Sequence, residues 1–402
     1  MKKLTNTLHL LVDTIRHEVV SIASTPATIL VMVGGVVLYG LLYNLLYRPN
    51  VVHDAPVAVV DDSHTTLSRH LIELIDATPQ VKIVATAEDM IEAHNIMAEG
   101  KAEGIIHIPS DIEKRIGRGE EALFVAEATT AEFLYYEAIQ SGTLGVLQHL
   151  DTALAQQLVL QLPLDTQQAF IQSRPAQVIG IPLFNPTKGY ATYLLPAVLI
   201  VIIFQTILMI MCIRTGRERE LGKGSFFNLS THSESKTHKV GLGDAVAVVV
   251  GRMVVYVVLY GLFSIFLLGF LPAVFNLPHL AEWWELVAFC ALFLPATVLC
   301  ALFFSSLFRD SESGVLLIAP FSLGLILLSG ISYPLELMPT GWLLLHHLIP
   351  APVGILGFVK LNSMGASLGE CSHQLCVLAI QGTLYFILAT LATFRLLNRL
   401  SK

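Results

Sequence analysis

Long uncharged stretches alternate along this chain with segments of ordinary polarity, and the lengths of those stretches decide its class. A hydrocarbon layer about 30 Å thick needs about 20 apolar residues of helix. Six runs meet that requirement: Ala27–Tyr47, Gly189–Ile213, Met253–Phe275, Leu286–Phe308, Ser313–Leu335 and Gln374–Phe394. A further uncharged run, Leu337–Val359, is interrupted by Pro339, Pro350 and Pro352 and carries His346 and His347. Proline at that density removes helical hydrogen bonds that lipid cannot replace, so this run predicts a broken, partly re-entrant hairpin at one membrane face. The pattern predicts an α-helical polytopic membrane protein with six transmembrane helices and an inserted extracytoplasmic α/β domain.

Residues 1–26 show a different period. Leu4, Leu8, Leu11, Ile15, Val19 and Ile22 recur at steps of three or four, opposite Lys3, Asp13 and Glu18. That spacing predicts an amphipathic helix. It either lies in the inner membrane interface or packs on its own protein, and the two readings are compatible. The apolar run after it starts too deep and continues too far for a cleavable signal peptide.

Residues 48–188, between the first two runs, have the texture of a soluble domain. Pro56–Val60, Val81–Thr86, Gly104–Ile108 and Ala122–Ala126 read as strands, and Thr65–Ile75, Ala87–Ala98 and Ser110–Gly117 as helices. The alternation predicts a small α/β layer domain. A long helix over Thr130–Leu160 and a return linker over Gln161–Pro186 then lead back to the membrane. The remaining divisions are residues 27–47 as first span, 189–402 as a five-helix domain, 214–252 as its cytoplasmic loop and 336–370 as its outer hairpin.

Charge orients the spans. With both termini inside, the inner segments carry 14 basic residues and the outer segments 10, although the outer segments are more than twice as long. Arg214, Arg217, Arg219, Arg395, Arg399 and Lys402 all flank spans on the inner side, as the positive-inside rule requires. Over the whole chain 54% of residues are hydrophobic, 14% are charged and the net charge is -7. That excludes a disordered chain and a nucleic-acid binder. Residues 48–188 hold 9 basic and 19 acidic residues, so the acidity is concentrated there. Five scattered cysteines do not make a disulfide framework, and Cys371 and Cys376, one helical turn apart, read as free thiols.

Enzyme chemistry finds little support. His64, His70, His94 and His107 lack metal-ligand spacing, and Ser63, Ser68 and Ser110 lack a nucleophile-elbow context. Asp61-Asp62 ends a strand and reads either as a cation site or as a loop cap. No ionisable residue falls inside the six runs, so coupling to a proton or sodium gradient is not expected. The segment Arg217-Glu218-Arg219-Glu220-Leu221-Gly222 leaves the second span with dense alternating charge. It reads either as a headgroup anchor or as a docking surface for a cytoplasmic partner.

Four stretches, in order, carry a family resemblance. They are Asn185-Pro186 with Tyr190 and Pro196, then Arg217-Glu218-Arg219-Glu220-Leu221-Gly222, then Gly251-Arg252 with Tyr256. The last is Leu328-Ser329-Gly330-Ile331-Ser332-Tyr333-Pro334 with Met338-Pro339. Together they resemble the permease subunits of type-2 ABC exporters, in the branch with a large extracytoplasmic domain after the first span. The resemblance implies ATPase coupling through Arg217, Glu218, Arg219, Glu220 and Gly222, with Phe226 and Phe227 read either as hydrophobic knobs or as side chains that insert in the bilayer surface. It also implies an outer hairpin built on Ser329, Gly330, Pro334, Met338 and Pro339. The chain departs from the family pattern at Lys223-Gly224-Ser225 and the Ser/His-rich stretch beyond, which shifts the point of ATPase contact.

No Walker A pattern occurs here, so the resemblance implies no cofactor bound directly, with ATP and magnesium held by a partner nucleotide-binding subunit. It further implies a second permease chain, identical or paralogous, membrane lipids as surroundings and a periplasmic adaptor as a further partner. The expected location is the bacterial inner membrane. The expected substrate is hydrophobic or amphiphilic, exported by ATPase motion, unless that motion is passed to the periplasm instead. The competing reading is a non-transporting scaffold whose outer domain binds envelope partners.

Overall fold

A computed structural model describes residues 2–118, 120, 122–129, 133–160, 183–185, 188–221, 241–308, 315–316 and 319–400. Contacts divide the chain into two units: Met1–Asn50 with Pro182–Lys402, and Val51–Ile181.

The first unit is helical. Helix α1 (Lys2–Ser24) ends at Thr25, which occupies the position before Pro26, where the ring disfavours helical backbone and forces a corner. Helix α2 (Pro26–Leu46) follows, with a π-helical turn over Leu30–Gly35. After the second unit come α7 (Tyr190–Leu221), α8 (Leu242–Val274, with a π-helical turn at Ile265–Phe270) and α9 (Trp283–Ser305). Then come α10 (Ser322–Leu327), α11 (Thr340–Leu348), α12 (Pro350–Asn362) and α13 (Ser372–Leu400). Among the described residues, α2, α7, α8, α9 and α13 are long and apolar enough to cross a membrane.

Helices α11 and α12 meet at a bend of 83°, a break in the run where the prolines predict one; counted as one span they make a sixth. Of the expected span at 313–335, the described residues include a 3-10 turn over Ala319–Phe321 that leads into α10, and residues 309–314, 317 and 318 lie outside the described residues.

Helix α7 is the axis of this unit, buried over 83% of its apolar window, whereas α2 is buried over only 22%. Exposed Leu30, Leu38, Leu42 and Leu45 on α2 and Val258 and Leu262 on α8 are the surface expected of helices whose solvent is lipid. The two ends of α9 fix the axis of the bundle. Trp283 and Trp284 open it, and Arg219 holds the carbonyls of Ser306 and Phe308 just past its last residue. Twenty-three residues of helix span about 34 Å, close to the hydrocarbon thickness. The tryptophan end also gathers Tyr47, Tyr190 and Tyr193, with ring centroids 5.4 and 6.4 Å apart, the composition of an interfacial aromatic belt.

The second unit is a four-stranded sheet, with β1 (Ala55–Asp61), β2 (Val81–Ala87), β3 (Gly104–Ile108) and β4 (Val125–Ala128) in the order β2-β1-β3-β4. The pairs β1–β2 and β1–β3 are parallel and β3–β4 is antiparallel. Helices α3 (Thr66–Asp76), α4 (Met90–Ala98) and α5 (Ile112–Gly117) connect the strands, and α6 (Phe133–Leu160) packs Ala138, Ile139 and Val146 into the larger core. Strand β1 is buried at six of its seven residues, as a central parallel strand must be. The last strand lies later than the pattern predicts, because the ladder with β3 pairs Ala128 with Gly104 and Val125 with His107. Residues 122–124 have no ladder partner.

Candidate functional site

The foot of α7 is the most heavily bonded place in the helical unit. Four residues in two turns reach three different segments. Arg214 Nε donates to Glu18 Oε1 of α1 at 3.2 Å, and Thr215 meets the Ser305 hydroxyl at the end of α9 at 3.0 Å. Arg217 Nη1 donates to Thr25 Oγ1 at the corner between α1 and α2, at 2.7 Å. Arg219 donates to the carbonyls of Ser306, the C-cap of α9, and of Phe308 just beyond it.

Glu18 is the centre of this arrangement. Its side chain is 1% exposed and lies 3.2 Å from Arg214 Nε and 3.3 Å from Arg252 Nε of α8. It also accepts from the Tyr256 hydroxyl at 2.9 Å. Glu218 is buried nearby, 3.9 Å from Arg214 Nη2. Burial pushes the Glu18 carboxyl up, but Arg252, Arg214 and the Tyr256 hydroxyl outweigh it and hold the carboxyl at about 2. A buried carboxylate facing two guanidinium groups from two spans is a joint, since none of the three charges can leave without stranding the others.

Sequence periodicity placed Glu18 on the polar, outward face of α1, and the structure reverses this. Thr14, Glu18 and Ile22 face the bundle, with Thr14 against Gly251, while Leu8, Val12 and Val19 are exposed. The pattern assumes that charge seeks water; here Arg214 and Arg252, nearly 200 residues or more away in sequence, supply the countercharge that makes burial favourable. The helix thus packs on its own protein and still exposes an apolar stripe. The same contacts show Arg214 and Arg252, which read as span ends, to be buried at 1% and 5% exposure.

A cavity of about 540 Å³ lies between α2, α7 and α10. Its wall on α2 comes from Leu30, Gly34 and Gly35 in the π-helical turn and from Tyr39; its wall on α7 includes Gln205 and Thr206. A π-helical turn carries one extra residue and so displaces the face it interrupts. Paired glycines there leave space that side chains would fill: a Cβ on Gly35 would stand 3.2 Å from Thr206 Cγ2. The lining is mainly apolar, with Gln205, Thr206 and the tyrosine hydroxyls as its polar groups.

At the tryptophan end, Ser329 Oγ donates to Ile326 O at 2.6 Å, and Gly330 turns the chain with φ +90, a conformation suited to glycine. Leu335 packs where a Cβ on Gly330 would lie, at 2.7 Å. Pro334 and Met338 flank a short 3-10 turn over Leu335–Leu337, and Pro339 precedes α11. These hairpin residues therefore lie together, whereas Arg217, Glu218 and Arg219 lie at the opposite end of the bundle. Glu220 is on the last turns of α7. Gly222, Phe226 and Phe227 lie outside the described residues.

In the sheet unit, the Asp61-Asp62 pair is committed locally. Asp61 accepts from Ser63 N, His64 N and Ser68 Oγ at 3.0, 3.1 and 2.7 Å, and Asp62 pairs with His107 at 2.8 Å. These bonds match the loop-cap reading. Among the described residues no group of three or more His, Cys, Asp or Glu side chains is placed to hold a metal ion.

No curated protein matches the chain. A family model described as ABC-2 family transporter protein matches residues 26–391, from the first turn of α2 into the last turns of α13. That match covers both units and every feature described above except α1, and the chain belongs to the ABC-2 family of transporter proteins.

Proposed function

We propose that this chain is the transmembrane permease subunit of an ATP-driven exporter for a hydrophobic or amphiphilic molecule. Membership of the family carries the coarser part, a membrane component that works with an ABC nucleotide-binding subunit. ATP and magnesium belong to that partner. In this reading the membrane is the bacterial inner membrane, the Arg219 end and both termini are cytoplasmic, and the sheet unit is periplasmic. A second permease chain, identical or paralogous, completes the transporter, with a periplasmic adaptor as a further partner.

The observation that carries the reading is the grip of α7 on its neighbours. Force applied by a nucleotide-binding subunit at Arg217–Glu220 reaches Glu18, Thr25 and the end of α9 through direct bonds. Thr25 stands at the base of α2, and α2 is one wall of the cavity. Closure of the ATPase subunits would then shift one cavity wall against another, which is what moving an apolar molecule requires. Transmission of that motion to the sheet unit uses the same lever with a different output.

The test reconstitutes the full chain with its cognate ATPase in proteoliposomes and follows ATP hydrolysis and movement of a fluorescent amphiphile. Gly35→Leu fills the cavity with a side chain. It should abolish amphiphile movement and amphiphile-stimulated hydrolysis while basal hydrolysis continues. Unchanged movement in Gly35→Leu would remove the cavity from the pathway. Failure of any ATPase to bind the wild-type chain would favour the scaffold reading.

A further inference from the structure

Three imidazoles form a row where the bend between α11 and α12 meets the start of α13. The ring centroids of His346 and His347 are 4.9 Å apart, and those of His347 and His373 are 6.0 Å apart with their planes at 75°. Backbone carbonyls select the tautomer of the first two. His346 Nδ1 donates to Leu328 O at 2.7 Å and His347 Nδ1 to Leu343 O at 2.8 Å. A carbonyl oxygen only accepts, so the proton sits on Nδ1 and the lone pair of each ring on Nε2. A ring whose second nitrogen donates to a carbonyl is the usual state of a metal-bound imidazole, fixed in orientation and made more basic. His346 is buried, whereas His347 and His373 are exposed, and no ion pair to either exposed ring forms among the described residues.

We propose that His347 and His373 together bind a transition-metal ion of the Zn²⁺ or Cu²⁺ type, cross-linking α11 to α13, with water filling the remaining positions. The spacing fits. With a metal–nitrogen bond of about 2.1 Å and the ring centroid ~1.2 Å behind the nitrogen, two imidazoles on one tetrahedral ion stand ~5.3 Å apart. The observed 6.0 Å lies within about 1 Å of that separation, and His373 is exposed. Imidazole favours zinc, copper and nickel over magnesium and calcium, which prefer oxygen.

The consequence is mechanical. The carbonyls released at the proline bend are already held by α13: Gln381 Nε2 donates to His347 O and Ile349 O at 2.7 and 3.3 Å, and Tyr385 donates to Leu348 O at 3.0 Å. A metal at His347–His373 adds a side-chain lock to the same junction and stiffens the bend.

The experiment uses the purified full chain in detergent micelles, titrated with Cu²⁺ and with Zn²⁺. Electron paramagnetic resonance of the copper-loaded protein should show an ion with two nitrogen ligands. That signal should be lost in His347→Gln and in His373→Gln, each with affinity lower by about tenfold or more, since even a partner behind a ligand is worth that much. Zn²⁺ should raise the melting temperature of the wild type and of His70→Gln, a control at an exposed position of α3, but not of the two site variants. If His347→Gln does not fold, His373→Gln decides alone, because that ring is exposed. Equal binding and an equal zinc-induced shift in wild type and His373→Gln would overturn the proposal and leave the row as ring packing.

Discussion

Replacing Glu18 with Gln tests whether the joint at the foot of α7 is what holds α1 to the bundle. The carboxylate lies within 3.3 Å of two guanidinium nitrogens and is 1% exposed. Its fall from an ordinary value of 4.5 to about 2 corresponds to about 3 kcal/mol at roughly 1.4 kcal/mol for each tenfold change. Stranding a buried partner by deleting the other costs about 3–5 kcal/mol, so two routes agree. Glu18→Gln should therefore destabilise the chain by about 3 kcal/mol, read from thermal unfolding in detergent micelles.

The pH dependence has a definite sign. A carboxyl held below its unfolded value contributes its full stability above about 4.5, and that contribution is lost as pH falls toward about 2. Glu18→Gln should remove this part of the acid sensitivity. Replacing Glu18, Arg214, Glu218 and Arg252 together with Leu, Met, Leu and Met should restore stability, because apolar replacements of whole buried ion clusters are often neutral or better. That quadruple variant should nonetheless lose ATPase-coupled transport if the charges transmit force. A Glu18→Gln chain within about 0.5 kcal/mol of the wild type, the range of an ordinary surface change, would refute the reasoning.

Three further outcomes follow from particular contacts. Gly354→Val on α12 would drive its Cβ to 2.5 Å from the Phe293 ring, which stacks on Phe289 at 5.4 Å; overpacking of about 1–3 kcal/mol should appear as a lower melting temperature. Gln381→Leu combined with Tyr385→Phe leaves the carbonyls of His347, Leu348 and Ile349 without their α13 donors. At about 1–3 kcal/mol for each buried group left unpaired, this variant should unfold at lower temperature and expose the bend to protease. Asp61→Ala in the sheet unit deletes the acceptor for three hydrogen bonds; amide exchange across Ser63–Ser68 should accelerate by at least about tenfold, at roughly 1.4 kcal/mol per factor of ten.

The spans were legible in the sequence because lipid imposes a single demand, about 20 uncharged residues of helix, and the composition answers it directly. The break between α11 and α12 was legible for the same reason: Pro350 removes an amide proton where lipid offers no substitute. Its repair was not legible, because Gln381 and Tyr385 lie more than 30 residues away and read only as polar residues in an apolar run. The sheet unit's alternation was likewise visible, while the late position of β4 follows from its register with β3, a long-range fact.

Glu18 shows why the candidate site was the harder part. Periodicity assigns each residue of α1 to a face by its own polarity, and on that rule Glu18 belongs in water. Its actual surroundings are set by Arg214, Arg252 and Tyr256, and only the three together reverse the sign of the burial energy. The alternating charge at Arg217-Glu218-Arg219-Glu220 was conspicuous in sequence, yet its arginines grip Thr25 and the end of α9. A segment so committed to its own chain transmits force well only if what pushes it engages the neighbouring exposed surface without competing for those bonds. That requirement favours contact at Glu220 and beyond. An ATPase interface that included Arg219 would first have to uncap α9, and the capping bonds to Ser306 and Phe308 would then be the part of the joint that changes during each cycle.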